Sequence, residues 1–313
     1  MKEKKINING LRELLLVGVV LLLCVVWTVM NPQFLSVNNI TNILRQASYT
    51  AIAAVGMTMI IIIGEIDLSA GSLVCAAGLV GAVVCKNTNN VLLAVLAAIL
   101  VGALVGLCNG ILCAVGCLPG FIATLASMTI LRGLAYIITG GNSIVWSNDN
   151  FTKIGTGYIG PVPIPVIIMI IAIIFGVMLT TKFRFGRYIY AVGGNMETSR
   201  WSGIPVVKVK ILVYVIMGVL TAIAGLIVTT RLGSGQPSAG LNFEMDCITA
   251  SVVGGTSMSG GRGKVMGTVV GVLLLTVLTN GMKLVGMNTY WQQVLKGIII
   301  VVSVLADTRG KAK

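Results

Sequence analysis

Residues 91–115 read VLLAVLAAILVGALVGLCNGILCAV, a run of 25 residues without a charged side chain. A helix rises 1.5 Å per residue, so about 20 apolar residues span the hydrocarbon core of a bilayer. We therefore predict that this run crosses a membrane as one helix.

Similar apolar runs fill most of the 313 residues, which are 56% hydrophobic and 10% charged with a mean hydropathy of +0.99. This composition lies far outside the range of soluble globular domains. Polar, charged and Gly/Pro-rich breaks divide the chain into about ten segments. They run roughly over 11–30, 43–63, 70–85, 91–115, 120–140, 162–181, 210–231, 244–257, 264–285 and 290–306. We predict an all-α fold, a polytopic transmembrane helical bundle that forms a single domain over residues 1–313. The short segments 70–85 and 244–257 could be broken or re-entrant helices.

The formal charge of +13 is concentrated next to the apolar segments. Of the 22 basic residues, 15 lie in four groups: Lys2, Lys4, Lys5 and Arg12; Lys182, Arg184, Arg187, Arg200, Lys208 and Lys210; Arg262 and Lys264; and Arg309, Lys311 and Lys313. This is the positive-inside pattern of a membrane protein, and it argues against nucleic acid as a partner. Ten crossings then place both termini and the loops 182–210 and 258–264 in the cytoplasm, with 141–161 outside.

The sequence offers no catalytic or metal-binding constellation. It contains no His, and its seven cysteines lie in or beside apolar segments. Cys113 and Cys117 are four residues apart, but no acidic side chain stands near them to complete a metal site. We expect these cysteines to be buried small side chains, and we predict that the protein is not an enzyme and binds no metal.

An ATP-binding loop is also missing from the sequence. The pairs Gly263-Lys264 and Gly310-Lys311 lack both the Ser or Thr that follows Lys and the earlier Gly of the phosphate-binding motif. If ATP drives transport here, a separate chain must hydrolyse it, so we expect no cofactor in this chain.

The basic loop 182–210 contains its own structural signals. Asn195 can cap a helix, Glu197 suits the first turn of that helix, and Gly203 with Pro205 would end it. We predict a two-turn helix outside the membrane, although an ordinary basic connector is the simpler interpretation of such a loop.

Three stretches resemble permeases of the ribose/galactose/xylose class of ABC importers. The 182–210 loop matches their coupling segment at Phe185-Gly186-Arg187, Ala191, Gly193-Gly194-Asn195 and Ser202-Gly203-Ile204, with Thr198 and Ser199 in place of two small residues. Residues 64–71 resemble the family's G-G-I-D-L-S-x-G segment, with Glu65 replacing its second Gly. The stretch from Gln236 to Gly263 resembles a third signature.

The resemblance implies a permease subunit of an ATP-driven importer for a simple sugar, such as ribose or a related pentose or hexose, in the bacterial plasma (inner) membrane. It also implies a cytoplasmic ABC ATPase, an extracytoplasmic sugar-binding protein and a second permease subunit, most simply as a homodimer. Contact with the ATPase would fall on the coupling segment: Gly194, Asn195, Glu197, Thr198, Ser199, Ser202, Gly203 and Ile204.

Charged and polar residues within apolar segments are candidates for the translocation path, because an isolated charge in the bilayer is costly. Arg132 would line the path or pair helices, or its side chain would extend to an interface. Asp67 or Ser69 would cap the third helix, or these acidic residues, Glu65 and Asp67, would contribute to an ion pair that gates the path. Asn109 would line the path or bond to another helix. Glu244 and Asp246 would cap a helix or meet basic residues of a binding protein.

Other functions stay open at this point. The same type of permease could carry a nucleoside or a furanosyl signalling molecule. A stand-alone ion-coupled transporter is a remote alternative, since it would need a buried relay of acids or His. Gly64, Ser69 and Gly71 recur as Gly254, Ser259 and Gly261 at an offset of 190, which suggests an internal repeat.

Overall fold

The computed structural model describes residues 8–309, and the side chains of residues 14–305. In this range each of the ten predicted segments corresponds to one α-helix, and three further helices lie outside those segments. The helices are α1 (Ile8–Met30), α2 (Val37–Ile62), α3 (Ala70–Thr88), α4 (Val91–Ala114), α5 (Gly120–Thr139), α6 (Asp149–Thr156), α7 (Ile164–Thr181), α8 (Arg184–Gly194), α9 (Met196–Trp201), α10 (Val206–Leu232), α11 (Phe243–Val253), α12 (Val265–Leu284) and α13 (Thr289–Arg309). A hairpin of β1 (Tyr158–Ile159) and β2 (Val162–Pro163) joins α6 to α7.

The predicted all-α polytopic bundle is confirmed. Within the described residues, six helices are long and apolar enough to cross a membrane: α3, α4, α5, α7, α10 and α12. The apolar parts of α1 and α13 that the structure describes, 14–30 and 289–305, are shorter. The predicted cytoplasmic location of both termini depends on side chains outside the described ones: Lys2, Lys4, Lys5, Arg12, Arg309, Lys311 and Lys313.

Helix α4 packs closely against α10, and α10 packs in turn on the buried helix α2. Gly102, Gly106 and Gly110 lie one turn apart on α4, and a Cβ at any of them would overlap the backbone of α10. Small residues at this spacing let two membrane helices approach closely and gain van der Waals contact. The run 91–115 is therefore a packing surface on one side, with Leu92, Leu96 and Leu100 exposed on the other.

Two helices begin in the interior after a non-helical stretch. Residues 64–69 lead back from the end of α2 to α3, and residues 233–242 lead from the end of α10 to α11. We name these stretches the first break and the second break. The two breaks bring the helix starts that follow them together: Gly71 of α3 lies against Gly240 of the second break and against Glu244 of α11. The amino-terminal ends of α3 and α11 therefore lie close together inside the bundle.

The two breaks belong to an internal structural repeat. Helix α3 packs on α4, α5 and α10, whereas α11 packs on α12, α13 and α2. Helices α2 and α10 run antiparallel in contact, so α2–α5 and α10–α13 show the same packing in opposite orientation, as in many transporters. The repeat suggested by the sequence paired 64–71 with 254–261 and is wrong, because 254–261 follows the end of α11 whereas 64–71 precedes α3. Broken helices diverge in sequence while keeping their geometry, which explains the error.

The short predicted segments have different outcomes. Helix α11 has 11 residues and is about 16 Å long, so this helix alone does not cross a bilayer. Helix α3 has 19 residues and extends past the predicted end at 85 to Thr88. Its crossing is nonetheless interrupted, since the first break precedes it.

The loops sort into two opposite ends of the bundle. At one end, Gly261 N donates to Ile62 O at 2.8 Å, and Tyr190 Oη donates to Gly263 O at 2.8 Å. The first bond joins the 258–264 loop to the end of α2, and the second joins it to the 182–210 loop, so the two loops that the charge pattern predicted to share one side do so. At the other end, Asn148 donates to Asn89 and Arg45 donates to Thr156 O.

Candidate functional site

A chain of polar groups follows the first break through the interior of the bundle. We name it the polar seam: Glu65, Asp67, Ser69, Asn109, Thr124, Ser127 and Lys210. The break leaves backbone groups without helical partners, and Thr124 of α5 replaces them. Its Oγ1 accepts from Leu68 N at 3.0 Å, and its single proton faces Gly120 O of α5 at 2.7 Å and Ile66 O of the break at 3.3 Å. Unwound backbone at membrane depth is tolerated only with such partners.

Glu65 and Lys210 form an ion pair at one end of the seam. The Oε1–Nζ distance is 2.5 Å, and the side chains are 14% and 8% exposed. Glu65 Oε2 also accepts from Gly120 N, the first residue of α5, at 2.9 Å. The interpretation of Glu65 as one half of an ion pair is therefore confirmed, and its partner is Lys210, which the charge pattern places in a basic loop.

Asp67 and Asn109 hold the beginning of α3. Asp67 Oδ1 accepts from Ser69 N at 2.8 Å and from Ser69 Oγ at 2.6 Å. Asn109 Nδ2 donates to the same Ser69 Oγ at 3.0 Å, and Asn109 Oδ1 accepts from Ser127 Oγ. Ser69 occupies the N-cap position of α3 as expected but makes no side-chain cap bond, and Asp67 orders the turn before it. The interpretation of Asn109 as a helix-joining residue is confirmed, since it joins α4 to the start of α3 and to α5 by hydrogen bonds.

Arg132 serves the second break as Thr124 serves the first. Its Nη1 donates to Pro237 O and to Ala239 O, both at 2.8 Å. The guanidinium therefore points into the bundle, and the interface position that we considered for it is wrong. Helix α5 thus supports both breaks, through residues about 12 Å apart along its axis.

Glu244 and Asp246 occupy the first turn of α11, where a negative charge interacts favourably with the helix dipole. Glu244 is buried, and its carboxylate lies against Gly71 of α3. Asp246 pairs with Lys296 of α13 at 2.6 Å. Placement at the helix start is confirmed for both residues, and the ion-pairing partner of Asp246 lies within the chain.

The predicted two-turn helix of the 182–210 loop is confirmed as α9. Asn195 Oδ1 accepts from Thr198 N at 2.9 Å, Glu197 is in the first turn, and Gly203 follows the helix at φ +79°. Ile204 N then donates to Ser199 O at 3.0 Å and closes the end. Ser199 is buried, whereas Gly194, Glu197, Thr198 and Ser202 are exposed.

One tryptophan stands out on α9. Trp201 is 90% exposed, which is unusual for so large an apolar side chain away from lipid. Sequence reasoning did not select it, although an aromatic residue in a structured loop is a common anchor of protein interfaces.

Helix α8, which sequence reasoning missed, fixes the 182–210 loop to the bundle. Gly193 lies so close to Ile62 O that a Cβ would overlap it. Burial raises the pKa of the Tyr190 phenol, so the hydroxyl stays protonated and keeps its bond to Gly263 O.

Among the described side chains, no three His, Cys, Asp or Glu residues are grouped to hold a metal ion. Cys113 is buried, as expected, whereas Cys117 is exposed.

These features define a class: a multi-pass helical membrane protein with paired broken helices, a buried polar seam and a rigid loop helix at one end. The family described as "Branched-chain amino acid transport system / permease component" matches residues 39–304. The chain belongs to this family of permease components and is a multi-pass protein of the bacterial plasma (inner) membrane.

Several characterised relatives match over nearly their whole length. The ribose import permease protein of Haemophilus influenzae is 44% identical, over 93% of this chain and 91% of that protein. The ribose import permease protein of Bacillus subtilis is 42% identical, over 99% and 98%. The xylose transport system permease protein of Escherichia coli is 33% identical, over 94% and 91%. No solved structure gives a significant match.

Proposed function

We propose that this chain is the membrane-spanning permease subunit of an ABC importer for a simple sugar, such as ribose or a related pentose or hexose. The observation that carries this proposal is its 42–44% identity, over almost the full length, to proteins named ribose import permeases. The polar seam is compatible with a neutral solute, since Glu65 and Lys210 are paired with each other and Asp67 is bonded to Ser69. A nucleoside or a furanosyl signalling molecule is the alternative cargo for the same machinery, and an ion-coupled transporter the remote alternative.

Helix α9 is the proposed docking site for a separate cytoplasmic ABC ATPase, which would bind and hydrolyse the ATP. The helix is rigidly capped, is held to the bundle through α8 and projects Trp201 outward. Exposed residues on this helix and directly beside it include Glu197 and Thr198 of α9, Gly194 at the end of α8 and Ser202 at the end of α9. A structured projection with an aromatic anchor suits a contact that must transmit movement.

The proposed arrangement in the membrane has both termini and the 182–210 loop in the cytoplasm, and 141–161 outside. The chain then crosses about ten times when each broken helix is counted together with its break. An external sugar-binding protein would deliver the solute to the outer end. A second copy of this chain would complete the passage as a homodimer.

Replacing Trp201 with Ala is expected to reduce copurification of the tagged ATPase encoded beside this chain by about tenfold, since loss of an interface anchor typically costs over 1 kcal/mol. Glu197→Lys should likewise reduce copurification of the ATPase. The thermal stability of the permease should stay unchanged, because Trp201 is almost fully exposed. Binding is measured from membranes solubilised in mild detergent.

Trp291→Ala is the matched control, because Trp291 is 64% exposed but lies in α13 at the opposite end of the bundle. It should copurify the ATPase like the unchanged chain. Normal copurification by both α9 variants would refute the docking assignment.

Solute identity is tested separately, by calorimetry of the neighbouring binding protein with ribose, xylose, galactose and ribonucleosides.

A further inference from the structure

A cavity of about 260 Å³ lies between α4, α9 and α10, beside the start of α5. Met196 and Arg200 of α9 form one wall, and Cys113 of α4 forms part of another. Glu65 and Lys210 of the polar seam complete the lining. The cavity therefore places the proposed docking helix directly beside the buried ion pair.

The Glu65–Lys210 ion pair joins four parts of the bundle at this point. Glu65 belongs to the first break and accepts from the first residue of α5. Lys210 belongs to α10 and also lies 3.5 Å from Cys113 O at the end of α4. Separating the two charges would loosen the first break from α10.

Helix α9 is joined directly to the helix that carries Lys210, whereas it reaches Glu65 only through α8 and the end of α2. Residues 202–205 join it to α10, and this link is held by Ile204 N to Ser199 O at 3.0 Å and Val206 N to Ile204 O at 2.8 Å. Lys210 stands four residues into α10, about 6 Å from its start. Glu65 is held instead by α5. A displacement of α9 therefore moves Lys210 relative to Glu65.

We propose that the Glu65–Lys210 ion pair is a latch that holds the docking end of the polar seam closed and opens when the ATPase displaces α9. This inference rests on the proposed function. A buried ion pair is stable only while its charges stay together or regain solvent. The cavity supplies that solvent, because water in it can reach both groups once they separate. The paired arrangement in the structure and the separated, hydrated arrangement of the proposal would be the two states that a coupling element requires.

The test uses the permease with its ATPase and binding protein in proteoliposomes. The double variant Glu65→Gln with Lys210→Met removes the pair without leaving a lone charge. We expect its ATPase activity without solute to rise, so that stimulation by ribose-loaded binding protein falls about fivefold or more. The exchanged pair Glu65→Lys with Lys210→Glu should recover part of the stimulation, which a purely steric role would not predict.

A second measurement leaves the pair intact. Cys113 is buried and its Sγ contacts Tyr214 Oη at 3.5 Å. The variant Cys108→Ser with Cys117→Ser removes the exposed thiols. In the assembled transporter carrying this variant, a maleimide should label Cys113 several-fold faster with a non-hydrolysable ATP analogue bound than without nucleotide. Equal labelling rates would overturn the latch, even if the double variant failed to assemble.

The outcomes separate the two proposals. If the unchanged chain shows no stimulation by loaded binding protein for any of the sugars or ribonucleosides tested, the importer assignment fails and the latch fails with it. If the unchanged chain is stimulated and the assembled double variant is stimulated equally, the latch alone is wrong.

Discussion

Replacing Gly71 with Ala is expected to abolish uptake and to destabilise the permease, the largest effect that we predict for a single methyl group. A Cβ at Gly71 would overlap both Gly240 O and the Glu244 carboxylate. The Glu244 side chain can move, but the Gly240 carbonyl belongs to the backbone of the second break. Overpacking at such a contact typically costs about 1–3 kcal/mol. Thermal unfolding in detergent and uptake of labelled solute measure the two effects.

Gly133→Ala in α5 is the matched control, because a Cβ there has no neighbour within 4 Å. It should leave uptake unchanged and leave stability equal or slightly raised, since Ala favours a helix over Gly. Wild-type stability and transport in Gly71→Ala would show that α3 and α11 do not need this close approach.

Hydropathy predicted most of the helices because membrane insertion depends on local composition. The run from Val91 ends in the structure at Ala114, one residue before the predicted end. The cap and stop of α9 were predictable for a similar reason, since Asn195 and Gly203 act on neighbouring backbone groups. Such signals act on backbone groups within a few residues, so a short stretch of sequence is enough to predict them.

The breaks and their partners were harder to predict because they depend on contacts far apart in sequence. Residues 233–242, with their Gly, Ser and Pro, read as an ordinary loop. Contacts with residues far away in sequence, Arg132 and Gly71, show that this stretch lies inside the bundle. Lys210 likewise reads as part of a basic connector, since nothing near it in the sequence points to Glu65.

Helix α8 and Trp201 were missed for another reason. Residues 184–194 combine basic, aromatic and glycine side chains, so their pattern matches neither a membrane span nor a typical soluble helix. The contact of Gly193 with Ile62 O requires a glycine, but one glycine among 39 carries no signal on its own. Trp201 becomes a candidate interface residue only once its exposure in the structure is known.

Arg132→Leu is expected to reduce uptake severely while the protein still reaches the membrane in normal amount. The substitution leaves Ala239 O without its donor and leaves Pro237 O with only the weak thiol donor Cys75 Sγ at 3.3 Å. An unsatisfied buried carbonyl costs about 1–3 kcal/mol. The second break should then shift, and with it the start of α11, because its backbone has lost the group that fixes its position. Arg132→Lys should retain part of the activity, since one ammonium can still donate to both carbonyls but lacks the planar guanidinium geometry.

The matched control is Lys153→Leu, which removes an exposed cation that donates only to Asn150 within α6. Uptake per unit of permease, measured in membranes with quantified protein, should remain normal for this variant. If Arg132→Leu also transports normally, its bonds to the second break are dispensable. If Arg132→Leu lowers both uptake and thermal stability while Lys153→Leu changes neither, the guanidinium acts by holding the unwound backbone in place. That result would identify α5, with Thr124 at one break and Arg132 at the other, as the element that keeps both interrupted helices in a transport-competent arrangement.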